Sequence, residues 1–158
     1  MAKILIVGFG NPLRSDDGLG WNVATKLAKE LARKDVRIIA QHQLTPEIAE
    51  LASRADRILF IDAAHRGEPG SLRCHRVECS ESDSAHSHEL SPAAILRLAN
   101  ELYGRSAPAY LLTVAGASFA TGDALSPEVE ATVPLLLKKI RRFVDSDDEG
   151  FCNEMGSE

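Results

Sequence analysis

The aliphatic run Ile4-Leu5-Ile6-Val7 gives way to Gly8-Phe9-Gly10-Asn11-Pro12-Leu13-Arg14-Ser15-Asp16-Asp17-Gly18-Leu19-Gly20, and from Trp21 apolar residues recur at helical spacing. Aliphatic residues bounded by glycine read as a buried strand, and strand, tight turn and helix is the unit from which α/β sheets are built. Glycines let the chain turn sharply, and two carboxylates then arrive where the free N–H groups of a helix N-terminus can orient them. A dinucleotide fingerprint would need a third glycine where Leu13 stands and an acid after strand two, where Ala40-Gln41-His42 stands. Both are missing, so the turn points to a metal or acid/base site and away from nucleotide binding.

Outward from this stretch, Lys3 to Val7 is a strand, Trp21 to Ala32 a helix and Val36 to Ala40 a second strand. Thr45-Pro46-Glu47 starts a helix running to about Arg54, with Thr as N-cap and Pro in the first turn. Ile58 to Ile61 is a third strand that ends at Asp62, and Ser71 to Val77 alternates as a half-exposed edge strand. Ser91-Pro92 opens a helix to about Leu102, Tyr110 to Val114 is a strand, and Ser126-Pro127 caps a final helix over Glu128 to Val144. Strands alternating with helices predict a single-domain, three-layer, doubly wound α/β fold with a mostly parallel sheet. The expected domain covers residues 1–144, and residues 145–158 are expected to be an acidic, disordered tail.

Composition agrees with one ordinary globular domain: 158 residues, 44% hydrophobic and 26% charged. The net charge of −5 comes from the tail, whose six acids and no bases leave the remainder at +1. That near-neutral body offers no phosphate-binding surface, so no nucleic-acid partner is expected. The four-residue aliphatic run near the N-terminus is too short for a signal peptide or a membrane span, so cytoplasmic residence is expected. The odd cysteine count (Cys74, Cys79, Cys152) lacks framework spacing and argues against a disulfide scaffold and for a reducing compartment.

Ligands of doubly wound sheets bind beyond the carboxyl ends of the parallel strands. That rule selects Asp16 and Asp17 after strand one, Gln41 to Thr45 after strand two, Asp62 to His65 after strand three, and the segment holding His86 and His88. Adjacent carboxylates do not easily point the same way, so Asp16 is expected to cap the helix and Asp17 to reach the crevice. Asp62 either caps a loop or serves the site, and His42 and His65 either join the site or hydrogen-bond a loop. A zinc site from Cys74, Cys79, His86 and His88 would match no standard spacing.

Taken together, Asn11 and Asp16-Asp17-Gly18 in the glycine turn, Asp62 after its aliphatic strand, and His88-Glu89-Leu90-Ser91 before a helix resemble the nickel-iron hydrogenase maturation endopeptidase family. Residues 8–20 match the family pattern G-x-G-N-x-L-x-x-D-(D/E)-G-x-G at every fixed position. The resemblance continues to about Val144 and includes Gly122-Asp123-Ala124-Leu125-Ser126-Pro127. It implies that Asp17, Asp62 and His88, with His86 a near neighbour, bind nickel carried by the immature hydrogenase large subunit, where other divalent ions can substitute. It implies further that the enzyme cuts a C-terminal extension from that large-subunit precursor, working as a monomer without nucleic acid or membrane. Where family members carry Gly-Gly-Thr after strand two, this chain has Gln43-Leu44-Thr45-Pro46-Glu47, and its Asp17 is shorter than the frequent Glu.

Two carboxylates and one imidazole do not saturate nickel, which leaves positions open for substrate or water. Attack on the peptide could come from metal-bound water or, as in aspartic-type peptidases, from water activated by Asp17 or Asp62 as general base. The second route is favoured, because a metal already held by substrate thiolates is a poor Lewis acid. Two other functions share parts of these signals. A non-catalytic nickel or precursor escort would use the same three ligands. Peptidyl-tRNA hydrolases share the opening Gly8 to Pro12, but have a Thr-Arg-His-Asn element where this chain has Leu13 to Asp17.

Overall fold

The computed structural model describes residues 3–79, 90–146 and 151–152. Its layering follows from the first strand, β1 (Ile4–Phe9), which lies inside the sheet and is apolar on both faces. Ile4 and Ile6 point to one side and Leu5 and Val7 to the other, as the two-residue period of a strand requires. On the Ile4 side lie α1 (Leu19–Glu30) and α5 (Val133–Asp145), through Val23, Leu27, Leu136, Ile140 and Phe143. On the Leu5 side lie α2 (Ile48–Arg54) and α3 (Pro92–Tyr103), through Ile48, Ala52, Ile95 and Ala99. Each fully buried Leu, Ile or Phe contributes about 1.5–3 kcal/mol, so these two apolar layers supply most of the driving force for the fold.

Beside β1 run β2 (Val36–Gln41) and β3 (Arg57–Ala64), then β5 (Ala109–Ala115) and β4 (Leu72–Val77), in the order β2-β1-β3-β5-β4. Every pairing is parallel except that of β4, which runs antiparallel to β5 at the edge. The predicted three-layer, mostly parallel α/β architecture is therefore present. Because β1 and β3 are neighbouring parallel strands, the loops that follow them open at the same end of the sheet. Among the described residues, no helix is long and apolar enough to cross a membrane.

Several local expectations are corrected. The last helix is two: α4 (Pro127–Glu130) stops before α5 because Pro134 has no N–H to give the carbonyl of Glu130. Strand β3 does not end at Asp62 but continues to Ala64, pairing Asp62 with Thr113 and Ala64 with Ala115. Thr45 caps nothing with its side chain. Its carbonyl accepts the N–H of Ile48 in a turn, and α2 begins after Pro46 and Glu47. Ser91 and Ser126 do cap as expected, accepting the N–H groups of Ala94 and Val129.

The cysteine reading also fails. Cys74 of β4 is disulfide-bonded to Cys152, with a Cα–Cα separation of 5.1 Å. Hydrophobic packing brings them together: Phe151 is buried with its ring 4.9 Å from that of Phe143, and Cys152 is buried beside it. Of the expected tail, the described residues 145, 146, 151 and 152 are thus held to the domain, and the rest lies outside the described residues. Asp145 closes α5 and pairs with Arg33, Arg57 donates to the carbonyls of Phe143 and Ser146, and Phe151-Cys152 docks on the core. The cysteine count consequently carries no argument about compartment, and Cys74 is not a thiolate available to zinc.

Candidate active site

The glycine turn folds back on itself so tightly that only glycine fits at its second position. Gly10 has φ 142°, and a Cβ there would lie 1.8 Å from the carbonyl oxygen of Asp17. The fold-back lets the N–H of Asn11 donate to Asp17 Oδ2 at 2.9 Å, while Asn11 Oδ1 accepts from the N–H of Leu13. Asp17 is thereby oriented by backbone within the turn and presents its other oxygen, Oδ1, toward His65 Nε2 at 3.9 Å.

Asp16 takes the opposite direction. It is fully buried, and α1 has Gly18 as its N-cap with no side-chain cap bond, so the expected capping role is replaced by another. Its Oδ2 accepts from the N–H of Ala117 at 2.7 Å, the N–H of Ser118 at 3.0 Å and the hydroxyl of Ser126 at 2.8 Å. Its Oδ1 accepts from the N–H of Ser126 at 2.7 Å. Burial opposes ionisation most strongly of the separate influences, but the hydrogen bonds from Ser126, Ala117 and Ser118 together outweigh it and hold the carboxyl below its ordinary value of 3.8. Further bonds close the same seam: Ser15 N–H to Gly122 O, Gly122 N–H to Leu13 O, and Ser15 Oγ to Ala120 O. The segment from Gly122 to Pro127, which the sequence reading counted in the family resemblance, is half of this clamp on the loop that carries Asp17.

Asp62 follows Ile61, the residue of β3 that pairs with Gly8 of β1, so it stands directly beside the glycine turn. It is half-buried, and its Oδ1 accepts from the N–H of Ala63 at 2.8 Å. Asn11, Asp17, His42, Asp62, His65 and Leu90 line one cleft of about 660 Å³, a size common for ligand sites. The structure therefore brings together Asp17 and Asp62, and places both His42 and His65 in the same cleft. His42 also meets Trp21 edge-on, with ring centroids 6.4 Å apart. His86 and His88 lie outside the described residues. Among the described residues, no three His, Cys, Asp or Glu side chains converge closely enough to enclose an ion by themselves.

Chemically, the cleft offers two carboxylates, Asp17 from the turn after β1 and Asp62 from the neighbouring strand β3, the first aimed by a backbone N–H, with the imidazoles of His42 and His65 beside them. Such an arrangement can bind a divalent ion or take a proton from water. The structural role of Asp16 was the main feature missed from sequence. Its signal was the pairing of Asp16 with Ser126, separated by 110 positions, which no local pattern announces.

No protein-family model and no curated protein sequence matches the chain. Solved structures do. The nickel-iron hydrogenase maturation protease HycI from Thermococcus kodakarensis superposes with a TM-score of 0.76 at 23% identity, covering 92% of this chain and 94% of that one. The hydrogenase maturating endopeptidase HybD from E. coli gives 0.74 at 22% identity, over 90% and 92% of the two chains. A hydrogenase 2 maturation peptidase from a Thaumarchaeota archaeon gives 0.66 at 22% identity, over 90% and 97%. The fold of this chain is that of the hydrogenase maturation proteases.

Proposed function

We propose that this chain is an endopeptidase that removes the C-terminal extension of a nickel-iron hydrogenase large-subunit precursor after nickel insertion, acting as a cytoplasmic monomer. The reading rests above all on one observation: Asp17, from the turn after β1, and Asp62, near the end of the neighbouring parallel strand β3, line a single cleft on the fold of the maturation proteases. Nickel belongs to the substrate here. Asp17, Asp62 and His88 would meet it as ligands that leave positions open, so a precursor without nickel would lack the contact that aligns its scissile peptide.

Cleavage needs a base near the scissile carbonyl. In this reading Asp17 or Asp62 takes a proton from water as the water oxygen bonds to the carbonyl carbon. The proton then passes to the departing amine as the C–N bond breaks. Asp17 suits the task because the Asn11 N–H fixes one oxygen and leaves the other directed into the cleft. Removing a general base typically costs about 10²–10⁴-fold in rate.

The test is mass spectrometry of nickel-loaded and nickel-free precursor after incubation with the wild-type protein or with Asp17→Asn. The reading expects loss of a C-terminal peptide from the loaded precursor alone, reduced at least about 100-fold by the substitution. Equal cleavage of both precursors would remove the nickel gate. Stable nickel-dependent complex formation without cleavage would replace the peptidase by an escort.

A further inference from the structure

We infer that Arg14, carried on the rigid turn after β1, is the residue by which the cleft recognises a carboxylate of its polypeptide substrate near the peptide bond that is cut. The inference deepens the proposed function and rests on it for the identity of the substrate, whereas Arg14-dependent binding of the precursor does not depend on cleavage.

The turn leaves the backbone of Arg14 little freedom. Its N–H donates to the carbonyl of Asn11 and its own carbonyl accepts the N–H of Asp17, both at 3.1 Å. On either side, the Leu13 carbonyl accepts the N–H of Gly122 and the Ser15 N–H donates to the carbonyl of Gly122, each at 2.9 Å, so that Arg14 and Gly122 form a parallel bridge. Ser15 stands at φ 50°, the left-handed region that a residue with a side chain seldom adopts, and its Oγ donates to the carbonyl of Ala120 at 2.8 Å. Backbone strain held in place by a distant loop collects at ligand clamps and active sites. What this strained turn presents to solvent is Leu13, 60% exposed, and the exposed side chain of Arg14.

Arg14 lines the same cleft as Asp17 and Asp62, and among the described residues no other lysine or arginine does. Elsewhere in the fold arginines are engaged: Arg33 by Asp35, Arg57 by the carbonyls of Phe143 and Ser146, Arg105 by Asp56. The guanidinium of Arg14 has no hydrogen bond or ion pair among the described residues. Its planar fork matches a carboxylate through two parallel N–H···O bonds, and carboxylates are the groups of an unmodified polypeptide that fit it. A substrate carboxylate placed beside Asp17 and Asp62 is repelled, and one placed beside Arg14 is held. Attraction at one point and repulsion at another fix the direction in which the chain runs through the cleft. Because the turn is already held by its own bonds, binding orders one side chain and no loop. Leu13 adds an apolar contact from the same turn. Arg14 thus selects and aligns the substrate and takes no part in breaking the bond.

Steady-state cleavage and calorimetric binding of the nickel-loaded precursor test this, using the full chain as wild type, Arg14→Gln, Arg14→Lys and the exposed control Arg37→Gln on β2. Arg14→Gln should raise KM and Kd at least about ten-fold with kcat within about three-fold, Arg14→Lys should recover part of the loss, and Arg37→Gln should match wild type. Two altered precursors separate the sources of the carboxylate: one ligated to a C-terminally amidated extension, and one with the Asp and Glu residues flanking the cut changed to Asn and Gln. The precursor on which wild type and Arg14→Gln bind alike carries the change at the recognised group. Unchanged KM and Kd in Arg14→Gln, a loss confined to kcat, or a loss of full size on both altered precursors would overturn the inference. Cleavage with unchanged KM in Arg14→Gln would reject the role of Arg14 and leave the peptidase. Arg14-dependent binding without any cleavage would reject the peptidase and leave the role of Arg14, and wild-type protein that neither binds nor cuts the precursor would reject both.

Discussion

Replacing Asp16 with asparagine changes one atom and one charge at the centre of the clamp, and its consequence can be worked out from the four bonds the carboxylate accepts. An amide has one acceptor oxygen. With that oxygen in the place of Oδ2, it keeps Ala117, Ser118 and the Ser126 hydroxyl, but its NH2 group then faces the Ser126 N–H, donor against donor. A buried N–H left without a partner costs about 1–3 kcal/mol. Because the Asp16 pKa is lowered despite burial, the site stabilises the charged form more than water does, so losing the charge is itself destabilising. The total loss expected is about 2–4 kcal/mol, or about 4–16 °C in melting temperature for a domain of this size. The assay is urea unfolding at pH 7, repeated down to pH 3. A carboxyl whose folded pKa lies below its unfolded value contributes fully above the unfolded value, near 3.8, and loses that contribution as pH falls through the folded pKa. The difference between wild type and Asp16→Asn should therefore narrow on acidification. A difference below about 0.5 kcal/mol at pH 7, or one that does not narrow, would refute the reasoning.

Two further outcomes follow from the same packing. Ser126→Ala removes both a hydroxyl bond to Asp16 and the N-cap of α4, and should cost about 1–2 kcal/mol by the same urea assay; a neutral result would mean that water replaces the hydroxyl. Cys152→Ser releases a link between residues 78 positions apart and should cost about 2–5 kcal/mol, with a reductant lowering the melting temperature of wild type but not of the variant; equal melting of both oxidised proteins would show that the link contributes no stability.

Most secondary structure was legible because its signals are local. Four-residue aliphatic runs gave the buried strands, and Ser91-Pro92 and Ser126-Pro127 gave two helix starts whose cap bonds are formed. The break before α5 was missed although its signal is local, since Pro134 stands inside the expected helix and cannot bond to Glu130. The extension of β3 past Asp62 was not legible, because it depends on pairing with Thr113 to Ala115 across the sheet. Asp17 and Asp62 could be placed together from sequence, since the topology rule brings the ends of adjacent parallel strands to one crevice. His65 could only be left between two roles, because its stacking partner Phe119 lies 54 positions away in another loop.

The sequence by itself determined the layers, the alternation and the turn at Gly8 to Gly20, because apolar periodicity and glycine spacing act over a few residues. Tertiary structure alone decided that Asp16 is buried as a clamp on the loops at Ala117 and Ser126 instead of capping the helix, and that Cys74 meets Cys152. The physical reason is the same in each case. A carboxylate or a sulfur is assigned its role by the partner it reaches, and the partners here come from loops and chain ends brought near only when the apolar layers close.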